Sequence, residues 1–169
     1  MRVVLFAALS ADGFIGQDSD HRSLDWRSKA DAKFFIEQTK KLGIIVMGST
    51  TYKTFRVKQA PPGRRLIVYT TKPNSITGEN VETTSEAPHA LVKRLVNEGG
   101  TGIAVGGGAT INKLFVDSGL VDELYLTIEP VLFGKGVPLF SGVMDKKLTL
   151  VDTRNLSDNT VLLHYAVQN

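Results

Sequence analysis

Short apolar runs rich in β-branched residues alternate with segments of helical period, and the alternation repeats along most of the chain. Arg2-Val3-Val4-Leu5-Phe6-Ala7-Ala8-Leu9 predicts a first strand. The polar, glycine-containing stretch from Ser10 to Ser23 predicts a loop pinned by Phe14 and Ile15. Ser28, with Asp31 at the N3 position, predicts a helix start, and Ala32, Phe34, Phe35, Ile36 and Leu42 supply an apolar stripe through to Lys41. Ile44-Ile45-Val46-Met47 predicts a second strand ending at Gly48, after which Ser49-Thr50-Thr51 offers caps for a short helix holding Tyr52 and Phe55.

The same rhythm continues. Pro61-Pro62-Gly63 predicts a turn into the strand Arg65-Leu66-Ile67-Val68-Tyr69, which the polar Thr70-Thr71-Lys72-Pro73-Asn74 ends. A short strand at Val81 precedes a predicted helix over Ser85 to Asn97, with Pro88 near its start. Ile103-Ala104-Val105 reads as a strand, and Ala109 to Asp117 as a helix with Ile111, Leu114, Phe115 and Val116 to bury before Gly119 ends it. Val121 to Glu129 fits a partly buried strand. Lys147 to Asp152 and Thr160 to Val167 predict a closing hairpin joined by the polar Arg154 to Asn159. The expected fold class is therefore α/β: one domain over residues 1–169, with a mostly parallel central sheet flanked by helices and an antiparallel C-terminal hairpin.

Composition narrows the chemistry. With 169 residues and 42% hydrophobic content the chain can bury one substantial core. No run of 18 apolar residues occurs, so a membrane span is not expected. The absence of cysteine excludes disulfides and thiolate chemistry and agrees with a cytoplasmic location, while His21, His89 and His164 lack ligand spacing, so no metal site is expected. The net charge of +3 favours anionic small molecules slightly. Its cations are dispersed without a stacking platform, so no nucleic-acid partner is expected.

Gly106-Gly107-Gly108-Ala109-Thr110 stands at a strand-to-helix junction, where glycines allow close approach and a helix start turns free N–H groups toward an anion. The spacing matches neither the dinucleotide fingerprint nor the lysine-bearing phosphate loop, and a purely structural glycine turn is the alternative.

Taken in order, Ala8-Leu9-Ser10-Ala11-Asp12-Gly13-Phe14-Ile15-Gly16, Trp26 with Asp31, Val46-Met47-Gly48-Ser49-Thr50-Thr51-Tyr52, Pro62-Gly63-Arg64-Arg65, Gly106-Gly107-Gly108-Ala109 and Leu124-Tyr125-Leu126-Thr127-Ile128 resemble the dihydrofolate reductase superfamily over nearly the whole chain. Ser10-Ala11-Asp12-Gly13 and Ile128-Glu129-Pro130-Val131-Leu132-Phe133-Gly134-Lys135-Gly136 look closest to its riboflavin biosynthesis reductase branch, the C-terminal domain of the bifunctional proteins. One departure is that Thr54 to Pro61 lacks that branch's Asp-x-Pro-x-Leu segment.

The resemblance implies a reductase that moves hydride from NADPH to a pyrimidine or aminoribosyl-pyrimidine, similar to 5-amino-6-(5-phosphoribosylamino)uracil reductase. Dihydrofolate reduction and a non-catalytic nucleotide-binding protein are the alternatives. It implies cofactor contacts at Ala8, Ile15, Gly48, Ser49, Thr51, Thr70, Thr71, Lys72, Gly106, Gly107, Gly108, Ala109 and Thr110, with Thr71 and Lys72 toward the ribose phosphate. Arg64 and Arg65 are weaker candidates. For Thr51 and Lys72 the plainer roles are helix capping and a solvated turn. Trp26, Asp31, Phe34 and Phe35 would meet the substrate, with Asp31 anchoring the heterocycle and assisting protonation. The plainer role for Asp31 is to stabilise a helix N-terminus, with Phe34 and Phe35 in the core. Tyr125 and Thr127 approach the cofactor or bond within the sheet. The apolar residues Val131, Leu132, Phe133, Val137, Leu139 and Phe140 suit either a homodimer contact or core packing.

Overall fold

Strand alternation sorts the first apolar run between two cores. In the computed structural model, which describes residues 1–56 and 59–168, β1 (Arg2–Ser10) sends Val3 and Leu5 to one face of a sheet and Val4 and Phe6 to the other. Val57 and Lys58, within the Thr54 to Pro61 stretch discussed above, lie outside the described residues, as does Asn169. After β1 come β2 (Phe14–Gly16), α1 (Lys29–Leu42), β3 (Gly43–Gly48), α2 (Ser49–Thr54), β4 (Arg65–Tyr69), β5 (Val81–Thr84) and α3 (Pro88–Asn97). The second half holds β6 (Gly102–Val105), α4 (Ala109–Asp117), β7 (Glu123–Glu129), β8 (Val137–Pro138), β9 (Leu148–Ser157) and β10 (Thr160–Val167).

Among the described residues, eight strands form one sheet in the order β5-β4-β3-β6-β1-β7-β10-β9. Pairing is parallel from β5 through β7, and antiparallel where β10 joins β7 and where β9 joins β10. The expected architecture is thus present. Leu91, Leu95 and Phe115 from α3 and α4 fill one face of the sheet, and Phe34 and Leu42 from α1 fill the other. Fully burying each such side chain contributes about 1.5–3 kcal/mol.

Local chemistry explains the helix boundaries. Ser28 Oγ accepts a hydrogen bond from the Asp31 N–H at 3.1 Å to open α1, and Gly43 closes it at φ +82°, a left-handed conformation that glycine adopts without strain. Pro88 stands at the start of α3, where its missing N–H costs nothing, so the helix begins there rather than at Ser85.

Two expectations are corrected. The cap of α2 is Gly48, with no side-chain bond, so Ser49, Thr50 and Thr51 lie inside the helix and none of their hydroxyls caps it. The closing hairpin is longer than its polarity indicates: β9 continues through Arg154 to Ser157, leaving only Asp158 and Asn159 as connector. An exposed edge strand takes its order from backbone pairing to β10, so polar side chains do not end it.

Candidate active site

The glycine run stitches two parallel strands together at their C-terminal ends. Gly106 N–H donates to Val46 O, and Gly48 N–H donates to Gly107 O, both at 2.8 Å. Gly107 sits at φ +92°, and the Gly107–Gly108 peptide is cis. A Cβ on Gly108 would stand 3.2 Å from Thr51 Oγ1, so the corner after β6 and the corner after β3 press against one another. At Gly106 a Cβ would meet only ordinary contacts, the nearest at 3.6 Å, and the demand for glycine is therefore sharpest at the second and third positions. Helix α4 starts from Gly108 without a side-chain cap. The first N–H groups of a helix have no intrahelical partner and carry the positive end of its dipole, which makes Ala109 and Thr110 fitted to an anion.

These corners form one wall of a cleft of about 1010 Å³ that follows the C-terminal halves of β1, β3, β4 and β7. In open α/β sheets this is where ligands bind, at the point where strand order reverses. Ala8, Ile15, Asp31, Phe34, Phe35, Gly48, Ser49, Thr51, Thr70, Thr71, Gly106, Gly107, Gly108, Ala109 and Thr110 all line it, and so do Tyr125 and Thr127. A cradle kept open by glycines, an uncapped helix start and hydroxyls from α2 together suit an anionic ligand.

Trp26 and Lys72 are not among the lining residues. The Trp26 ring packs edge-on against Phe133, 5.2 Å between centroids, and lies beside His21. Lys72 is exposed, and its backbone N–H donates to Thr70 Oγ1 at 3.0 Å. Arg65 is tied to Glu82 and Glu98, and Arg64 donates to Thr39 Oγ1, so neither faces the cleft.

Asp31 occupies the opposite wall, 5% exposed, on the first turn of α1. Burial lifts its carboxyl above the usual aspartate range; Arg27 and Thr127 pull it down and Glu129 pushes it up, without reversing the direction. Arg27 donates from Nη1 to Asp31 Oδ2 at 3.1 Å. Beneath this pair lies Glu129, 1% exposed, which accepts from the Ser28 N–H at 3.0 Å, the Ser28 hydroxyl at 2.9 Å and the Thr160 hydroxyl at 3.1 Å. Because the Ser28 hydroxyl also accepts from Asp31 N–H, Glu129 holds the helix start that carries Asp31.

Sequence reading passed over several of these groups. Arg27 stands four residues before Asp31, a spacing that brings side chains together at a helix start and could have flagged it. Glu129 meets Ser28 across 101 positions, and no local pattern reveals that contact. Tyr69 and Asn112 line the cleft with a buried hydroxyl and a buried amide oxygen that have no hydrogen-bond partner among the described residues, and burial raises the Tyr69 hydroxyl to about 12. His164 has a carboxylate neighbour: Nε2 lies 2.6 Å from Glu123 Oε2, which also receives Arg2. His164 stacks on Tyr125 but is not among the residues lining the cleft.

The family model described as the RibD C-terminal domain matches residues 1–162. The uncharacterized protein YwjB of Bacillus subtilis is 30% identical over 173 residues, covering 97% of each chain. Among solved structures, a putative riboflavin biosynthesis protein from Shewanella superposes with a TM-score of 0.80 at 21% identity, covering all of both chains. Dihydrofolate reductase from Enterococcus faecalis, complexed with NADP(H), superposes at 0.73 with 22% identity, covering 99% of this chain and 97% of that one. These two likenesses are likenesses of fold. No helix among the described residues is long and apolar enough to cross a membrane.

Proposed function

The chain belongs to the RibD C-terminal domain family, and from that premise we propose that it is an NADPH-dependent reductase acting on a pyrimidine or aminoribosyl-pyrimidine substrate. The observation that carries the reading is that an anion-fitted glycine corner and a buried carboxyl line one and the same cleft. Bound dinucleotide supplies hydride. In this reading Gly107, Gly108 and the N–H groups of Ala109 and Thr110 hold its pyrophosphate, with Thr51 adding a hydroxyl freed from any capping duty. Ser49, Thr70 and Thr71 offer hydroxyls toward the ribose phosphate. Phe34 and Phe35 flank a planar acceptor, and Asp31 delivers the proton to nitrogen as hydride adds to the neighbouring carbon of a carbon–nitrogen double bond.

The test is incubation of the protein and NADPH with 5-amino-6-(5-phosphoribosylamino)uracil and, separately, with dihydrofolate, followed by the loss of reduced-nicotinamide absorbance. Turnover of the aminoribosyl compound is expected. Turnover of dihydrofolate alone would replace the substrate, and tight NADPH binding without oxidation across a panel of pyrimidines would mark a non-catalytic binder.

We also propose a homodimer that covers the sheet edge. Phe133 packs on Trp26, and Leu139 and Phe140 pack on the core, which accounts for much of the apolar segment after β7. On β9, by contrast, Leu148, Leu150 and Val151 are 39%, 54% and 54% exposed on a strand that ends the sheet among the described residues. Leu150→Lys combined with Val151→Lys is expected to convert a dimer to a monomer in light scattering. A monomeric wild type at micromolar concentration would discard the proposal.

A further inference from the structure

Glu129, the last residue of β7, takes no part in the hydride and proton transfers, yet it is among the most deeply buried side chains of the protein. Among the described residues its hydrogen-bond partners are all donors and none is a cation. The Ser28 N–H and hydroxyl donate to Oε1, and the Thr160 hydroxyl donates to Oε2. Those bonds do not require a charge. A glutamine of the same length would take both Ser28 donors on its carbonyl oxygen and donate from its amide to the Thr160 hydroxyl, with no ionised group to withdraw from water. A buried acid that an amide could replace bond for bond points to a use for the charge itself.

The charge has a neighbour to act on. The Ser28 hydroxyl that donates to Glu129 also accepts from the Asp31 N–H at 3.1 Å, so one hydroxyl joins the segments that carry the two acids. Around the Asp31 carboxyl the influences oppose one another. Burial raises it, Arg27 and Thr127 favour its ionised form, and Glu129 raises it again. Among the described residues, β10 adds only the uncharged Thr160 beside Glu129, and Arg154 of β9 stands over the Phe34 ring, 5.4 Å from the centroid. Arg27, 3.1 Å from Asp31 Oδ2, works against a proton donor, and Glu129 is the charged side chain that counters it. Two acids whose surroundings favour different protonation states divide the roles of fixed charge and proton donor between them.

We propose that Glu129 is a positioning residue for the proton donor: through Ser28 it fixes the first turn of α1, and its negative charge offsets Arg27 so that Asp31 keeps a proton to deliver. The proposal rests on the reductase reading only for the delivery of that proton. The coupling of the two acids belongs to the free protein and is measurable without any ligand.

Two variants separate the charge from the bonds. Glu129→Gln keeps the length and the hydrogen bonds and removes the charge, whereas Glu129→Asp keeps the charge and shortens the reach to Ser28. The Asp31 carboxyl is titrated by NMR in the free protein, with Asp31→Asn to assign its resonance. In Glu129→Gln the midpoint is expected to fall by about half a pH unit or more, the scale of a nearby like charge in a partly screened site. In Glu129→Asp it is expected to fall less, although that variant is the less stable of the two to heat. With substrate, the alkaline limb of kcat should follow the titration, so that Glu129→Gln loses about threefold or more above the limb and keeps its rate below it. A purely structural role would lower the rate alike at every pH. An Asp31 midpoint that stays or rises in a folded Glu129→Gln protein would overturn the proposal. Wild type alone decides it should that variant fail to fold: Asp31 is expected to take up its proton before Glu129 as pH falls, and the reverse order would overturn it. A lowered midpoint in a protein that oxidises NADPH with no substrate would remove the reductase reading and uphold the coupling of the two acids.

Discussion

Asp31→Asn is expected to lower turnover of the true substrate by about 10²–10⁴-fold, the range over which a positioned proton donor contributes, while NADPH affinity is unchanged. The substitution keeps the size of the side chain and an oxygen for Arg27, so the loss isolates the proton. Burial raises the Asp31 carboxyl, and the acid form is the one that donates. Wild-type kcat should therefore fall as pH rises through that raised value, and the asparagine variant should lack that limb. Stability separates chemistry from folding. A carboxyl raised in the folded state contributes stability that is fully present below the ordinary aspartate value and is lost as pH rises through the folded one. Asparagine has no such loss, so its urea midpoint relative to wild type should climb with pH across the same window. A variant that keeps turnover at every pH would remove Asp31 from the catalytic step.

Gly107→Val is expected to weaken NADPH binding by about 100-fold. A β-branched residue at φ +92° carries strain of about 1–3 kcal/mol, and relief of that strain moves the carbonyl that receives Gly48 N–H. The added side chain also enters the space beside Asn112 Oδ1, which lies 3.9 Å from where a Cβ would stand. Gly106→Ala is the matched control. Its Cβ would meet Ile45 and Val46 at ordinary contact distances, so the expected loss is much smaller. Titration of NADPH into both proteins by intrinsic fluorescence makes the comparison, and equal affinities would mean that the corner is not the pyrophosphate seat.

Legibility in the sequence followed the range of the interactions. Helix α1 was predicted nearly to the residue, because Ser28 and Asp31 act over three positions and the apolar stripe repeats every turn. The glycine corner was readable for the same reason: a strand, three glycines and a helix are contiguous. Strand β9 was half read, since a polar edge strand owes its order to its neighbour rather than to its own composition. Thr51 lies inside α2 instead of capping it because one residue decides where a helix begins, and the pairing of β3 with β4 and β6 puts that boundary at Gly48.

Within the site, the sequence by itself determined which chemistry is available. It holds a carboxyl on a helix start, a glycine run before another helix, hydroxyls after two strands and no thiol. The tertiary structure alone decided how those groups meet. Parallel pairing of β1 with β6 and β7 brings residues from opposite ends of the chain to one cleft. It lays Glu129 beneath Ser28, and it buries Asp31 far enough to raise its carboxyl while leaving Arg27 against it and Lys72 outside. Helix caps and apolar periods are short-range properties written in neighbouring residues, whereas desolvation and charge pairing depend on distances through space that only the folded chain defines.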